Sequence, residues 1–159
     1  MIQYKFVTVW RITAPIEAVW EAIYRSETWP TWWGSVRRVV EVVRGDDDGI
    51  GNVRRYFWRS RLPYDLVFEV KVTRIERPVS LVGISAGELV GEGTWDLSQD
   101  GAVTTVRNTW EVRTTKRWMN LVAPLARPFF AWNHAYSMRQ GGEGLARLLG
   151  GRLVENTHA

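Results

Sequence analysis

From residue 36 to residue 115 the sequence keeps a period of two, and from residue 116 to residue 149 it turns to helical spacing. Many strand-like segments followed by one long helix leave few folds open, because a sheet with one wet face must have its other face covered. The last helix is the only element long enough to do so. VRRVVEVVRG (36–45) and NVRRYFWRS (52–60) flank the turn-rich GDDDGIG and read as a hairpin. LPY (62–64) makes a corner, and YDLVFEVKVTRIE (64–76) puts Leu66, Phe68, Val70 and Val72 on one face before Pro78. VSLVGISAG (79–87), ELVGEGTWDLS (88–98) and AVTTVRNTWEVRTT (102–115) complete the run, with Asp100-Gly101 as the last turn. In the final strand Val106, Asn108, Trp110 and Val112 share one face, and Arg107, Thr109, Glu111 and Arg113 the other.

Ahead of this run, IQYKFVTVWRI (2–12) alternates as a strand. Thr13 is placed to cap the next element and Pro15 to sit in its first turn. PIEAVWEAIYR (15–25) then carries Ile16, Val19, Trp20 and Ile23 on one helical face. SETWPTWWGS (26–35) predicts a short second helix ending near Gly34. Pro124 and Pro128 predict a short helix or a kink at the start of the last helical stretch. The expected fold is therefore α+β. Its seven-stranded curved antiparallel sheet wraps around a long C-terminal helix, with two short helices after the first strand. One domain is expected over 1–151, with a short flexible tail at 152–159. The space between a large curved sheet and a single helix tends to be a cavity, the usual place for a small apolar ligand.

Composition narrows the function. Lys and Arg outnumber Asp and Glu by 21 to 17, but the arginines are spread and interleaved with acids, which speaks against a specific nucleic-acid surface. The densest group, Arg54, Arg55, Arg59 and Arg61, reads as a solvated strand face. The absence of cysteine excludes disulfides and thiolate chemistry and fits a cytoplasmic setting. No apolar run reaches the ~18–20 residues of a membrane span, and the first strand begins without a signal-like segment. Asp46, Asp47 and Asp48 hint at a calcium loop, but Phe57 stands where its bidentate glutamate belongs. GDDDGIG lacks the third glycine of a dinucleotide loop and precedes a strand. With His134 and His158 as the only histidines, neither a metal nor a cofactor is expected.

The order of elements, together with APIEAVWEAI (14–23), WPTWW (29–33), RLPYDL (61–66), GELVGEGTW (87–95), TWEV (109–112) and WNHAYSM (132–138), resembles the SRPBCC superfamily. This is the helix-grip fold of START lipid-binding domains, the birch pollen allergen and polyketide cyclases. The sequence is similar to the polyketide cyclase/dehydrase-like branch. The resemblance implies a deep apolar cavity and a hydrophobic small-molecule partner. It does not imply one reaction, since the superfamily spans carriers, receptors and aromatase/cyclases.

Candidate residues follow from that cavity. On the last helix Phe130, His134, Met138, Gly141 or Gly142, Leu145 and Leu149 form one stripe, on which His134 is the only ionisable group. Three roles are open for it: a buried imidazole bonded to Asn108 or a backbone carbonyl, a polar anchor for a ligand, or a general acid/base. Ser137, one turn away, lacks any sign of an oxyanion hole. Trp132 and Tyr136 should meet flanking loops or the first helices. Asn108 and Trp110 point inward from the last strand. Tyr56 and Trp58 share a face, as does Trp95 with its own strand, but the sequence leaves open which face of 52–60 and 88–98 points inward. Phe68 and Trp33 complete the set, the latter with Trp32 at the expected mouth. Gly91, Gly93, Gly141 and Gly142 are read chiefly as shaping the core. The leading expectation is a binder of a hydrophobic, aromatic or polyketide-like molecule. A cyclase/dehydratase using His134 is the alternative, and a membrane- or protein-interaction module built on WMNLVAPLARPFFAW is the third. A cavity below ~300 Å³ would count against the first two.

Overall fold

The computed structural model describes residues 3–61 and 65–159. Strand β1 (Gln3–Ile12) leads into helix α1 (Ile16–Tyr24) and a 3₁₀ helix (Ser26–Thr31). There follow β2 (Val36–Val43), β3 (Val53–Arg59), β4 (Asp65–Glu76), β5 (Ser80–Gly87), β6 (Leu89–Asp100) and β7 (Val103–Thr114), then helix α2 (Arg117–Leu148) and β8 (Leu153–His158). The strands form one antiparallel sheet in the order β2-β3-β4-β5-β6-β7-β1-β8. Register shifts in the β1/β8, β2/β3 and β4/β5 pairs help it to curve. Alternation does the rest: Tyr4, Thr8, Trp10 and Ile12 of β1 are buried toward α2, as are Val106, Asn108 and Val112 of β7.

Three local expectations are corrected. The segment expected as a flexible tail is the eighth strand. It pairs with β1 from Thr8↔His158 to Ile12↔Leu153, and the Val7 and Ala159 backbones exchange hydrogen bonds of 2.9 and 2.8 Å. Without it β1 would be an open edge, a row of unpaired amides and carbonyls. Thr13 does not cap α1. Its Oγ1 accepts the Arg152 N–H at 2.7 Å, tying the end of β1 to the approach to β8, while Ile16 N–H is satisfied by Gln99 Oε1 at 3.0 Å. Finally, the prolines do not set off a separate short helix: both Pro124 and Pro128 lie inside α2, which runs for 32 residues. The two prolines stand at exposed positions, where water can replace the hydrogen bonds that their missing amides forgo. The LPY corner at 62–64 lies outside the described residues.

The mid-helix glycines are contact points. A Cβ on Gly141 would come within 2.5 Å of the Trp33 ring, and one on Gly142 within 2.9 Å of Trp10 Nε1. At Gly144 a Cβ would collide with the Trp32 carbonyl oxygen. The C-terminal half of α2 is thereby drawn onto the tryptophans of β1 and of the segment after the 3₁₀ helix. The N-terminal half has no such close approach, and the core beneath it is a separate small cluster of Tyr4, Met119 and Phe130.

Candidate functional site

Between the concave face of the sheet and α2 lies a cavity of about 190 Å³. The inward face of β3 contributes Arg54, Tyr56 and Trp58, which settles the face that the sequence left open. Strand β4 contributes Phe68, β6 Gly93 and Trp95, β7 Asn108 and Trp110, and α2 Phe130, His134 and Met138. Trp29 and Trp33 close one side. All ten residues expected around a ligand therefore stand on this wall.

The wall is mainly a connected set of aromatic rings. Trp33 lies 5.0 Å, centroid to centroid, from both Trp29 and Trp58. Tyr56 stacks on Phe68 at 5.5 Å, and Phe68 meets Trp110 at 5.7 Å. Gly93 lets the Trp110 ring lie flat over β6, since a Cβ there would stand 2.5 Å from it. Two indoles are fixed by one residue of α2: Trp33 Nε1 donates to the Ser137 carbonyl at 2.8 Å, and Trp58 Nε1 to the Ser137 hydroxyl at 3.0 Å. Ser137 is thus an anchor for the wall.

Polar atoms gather at two places. At the first, under the 3₁₀ helix, Tyr56 Oη and Arg54 Nη1 each donate to Ser26 Oγ at 2.8 Å. Arg54 Nη1 also reaches the Tyr24 carbonyl at 2.8 Å, and its Nη2 pairs with Glu27 at 3.2 Å. Burial pushes the Tyr56 hydroxyl above its ordinary range, against the opposing pull of its bond to Ser26 and of the Arg54 charge, so it stays a neutral donor. A hydroxyl has two acceptor lone pairs and one hydrogen. Arg54 takes one acceptor position of Ser26, and one of the two hydroxyl hydrogens makes the Tyr56–Ser26 bond, so the pair keeps one hydrogen without an acceptor among the described residues. Arg54 was expected on a solvated face; it is largely buried instead. The signal was present in NVRRYFWRS, where Arg54 stands two and four residues from Tyr56 and Trp58 and so shares their face. Ser26 gave no such signal.

The second place is around His134. Its ring stacks on Phe6, centroids 4.2 Å apart and planes at 14°. It makes no hydrogen bond among the described residues. The expected bond to Asn108 is absent, since Asn108 Nδ2 donates to the Thr94 carbonyl at 3.3 Å. Part of the imidazole is open to the cavity, and most of the ring is enclosed by protein. That burial, with His158 nearby as a lesser cause, lowers its pKa to about 3. The ring is neutral in any physiological setting. Trp132 and Tyr136 turn away, stack on each other at 6.2 Å and carry the Arg61 guanidinium over both rings.

A curved antiparallel sheet gripping one long helix, with a mostly aromatic cavity between them, defines the helix-grip class. The chain belongs to the polyketide cyclase / dehydrase and lipid transport family, whose profile matches residues 3–150. Among solved structures it is similar to the Zhui aromatase/cyclase from a Streptomyces species, with a TM-score of 0.76 at 12% identity over 94% of both chains. A Thermus thermophilus protein gives 0.74 at 18% identity, over 91% of this chain and 99% of the other. A START superfamily protein from Mycobacterium smegmatis gives 0.74 at 12% identity, over 92% and 98%. At these identities the likeness is one of fold. No curated protein sequence matches the chain.

Proposed function

We propose that this protein binds a small hydrophobic molecule, one or two rings in size, with a hydrogen-bond acceptor at one end. The observation that carries the reading is a cavity walled by aromatic rings that holds buried hydroxyls with a hydrogen to give: the Ser26–Tyr56 pair and, at the other end, Tyr4, whose Oη has no partner among the described residues. Rings would pack against the faces of Trp58, Phe68 and Trp110 that line the cavity, and the acceptor would take the free hydrogen of the Ser26–Tyr56 pair beside Arg54. The family's description supports a cavity ligand; the volume limits it. About 190 Å³ is below the ~300 Å³ floor of ordinary ligand pockets. It is close to the ~150 Å³ that holds benzene in an engineered apolar cavity. This counts against an extended lipid or a folded polyketide chain in the conformation described.

A second reading, cyclisation of a poly-β-keto chain, has the support of the family's description and of the fold shared with an aromatase/cyclase. It needs a wider cavity than this one, and it changes the role first expected of His134. An imidazole with a pKa near 3 is a weak base and carries no proton to give at neutral pH. The pair Tyr56 and Ser26 is the better proton-bearing group on this wall.

The test is native mass spectrometry of freshly purified protein, followed by titration with 2-naphthol read by tryptophan fluorescence. A co-purified apolar molecule, or saturable quenching weakened about three- to tenfold by Ser26→Ala, supports the binding reading. Absence of both sinks it. For the cyclase reading, turnover of a polyketide-like substrate that survives His134→Gln but falls in Tyr56→Phe would fit; no turnover by the unmodified protein ends it.

A further inference from the structure

The N-terminal half of α2 has two apolar faces, and only one belongs to the cavity. Met119, Ala123 and Phe130 are buried. On the opposite side Leu121 is 83% exposed, Leu125 85%, Phe129 59% and Trp132 51%. Spacings of four, four and three put these side chains on one stripe, flanked by the exposed Val122 and the half-exposed Trp118. Residues 118–132 span about 21 Å at 1.5 Å per residue. Among the described residues, the other exposed large apolar side chains are the neighbours Val42 and Val43 on β2 and single ones on the β4–β5 turn, β5, the end of α2 and β8. Charge follows the same division. Residues 112–142 contain five basic side chains and no Asp or Glu, although the whole chain has 17 acids. Arg117 and Arg139 are exposed on the helix toward the two ends of the stripe, Arg127 is turned to β1, where it donates to the Gln3 carbonyl and lies over the Tyr4 ring, and Lys116 at the helix start is paired with Glu88.

We propose that this stripe of α2 docks on an anionic bilayer surface, lying in the interface with Leu121, Leu125 and Phe129 among the acyl chains. An apolar face with an exposed arginine toward each end and no carboxylate from residue 112 to 142 is the complement of a negatively charged lipid surface. A second copy of the chain fits less well. A twofold contact through the stripe would set the arginines of one copy beside those of the other, like charge against like. Because the buried side of the same helix roofs the cavity, docking brings the cavity roof to the bilayer. The inference is independent of which ligand the cavity holds.

The experiment is co-sedimentation of the full chain with phosphatidylcholine vesicles and with vesicles one-third phosphatidylglycerol. Binding to the anionic vesicles, weak binding to the neutral ones, and release as salt rises to about 1 M, where charges are screened beyond about 3 Å, is the expected result. Leu125→Glu, alone and with Leu121→Glu, removes apolar contact at highly exposed positions and adds like charge to the lipid surface. Either should weaken binding at least about tenfold without shifting the melting temperature. No sedimentation with anionic vesicles overturns the proposal, and so does equal binding by the Glu variants. A self-associating chain that Leu125→Glu makes monomeric, with no vesicle binding, overturns it in favour of a second copy.

Discussion

His134 is held neutral by its surroundings, and this has a measurable consequence. Its pKa falls to about 3 in the fold, against an ordinary value of 6.5. Above pH 6.5 the ring is neutral both folded and unfolded and contributes no pH dependence. Between 6.5 and about 3 the unfolded chain takes up a proton that the folded one refuses, so stability falls as pH falls. His158, lowered by burial and by the Arg139 charge, acts in the same direction. Urea midpoints measured from pH 7 to 4 should decline, and His134→Leu should flatten the decline; an unchanged slope would show that other groups set it. Ser137 gives a second prediction at this scale. In Ser137→Ala the Trp58 indole loses its acceptor while Trp33 keeps the carbonyl. The cost should be about 1–3 kcal/mol, read from denaturant unfolding, with little change in the fold. The sequence placed His134 on the inward stripe because spacing alone sets which face it shares. It could not show that Phe6, 128 positions away in the chain, would take the side of the ring where Asn108 was expected. Nor could it show Ser26 as the shared acceptor of Tyr56 and Arg54, since that pairing depends on where the 3₁₀ helix meets β3.

At the scale of elements, α2 has mid-helix glycines that propensity would replace. Each costs about 1 kcal/mol relative to alanine in an isolated helix. Gly144→Ala should nonetheless destabilise the protein by about 2 kcal/mol or more, because the new methyl meets the Trp32 carbonyl and the overpacking outweighs the propensity gain. A raised melting temperature would show instead that α2 can shift away from that segment. The period-two signal was strong in β4 and β7, where one face is clearly apolar, and those strands were legible. It was weak in RLVENTHA, whose β8 pairing is fixed by the open edge of β1 rather than by its own pattern. The prolines misled for a related reason. Their penalty depends on their surroundings, and only the packing of α2 shows that both stand at exposed positions. Removing residues 152–159 should therefore expose β1 and promote self-association, visible by light scattering.

For the whole molecule, the sequence's tryptophan content and the sheet-then-helix order pointed to an aromatic-lined cavity, but not to its size. Size is set by how rings interlock, and here they fill most of the grip. Trp110 is the ring whose loss should change this most, because it bridges β7, Phe68 and the bare backbone of Gly93. Trp110→Ala should cost about 3–5 kcal/mol, so it is best examined well below the melting temperature. In exchange the cavity should accept 1-aminoanthracene, three fused rings whose fluorescence rises on leaving water, while the unmodified protein prefers the two rings of 2-naphthol. If the unmodified protein binds both equally well, the closed volume does not select the ligand. The roof formed by α2 must then open in solution, and a polyketide-sized substrate becomes admissible. If only the Trp110→Ala protein binds the larger probe, the interlocked rings themselves set the size limit of the ligand.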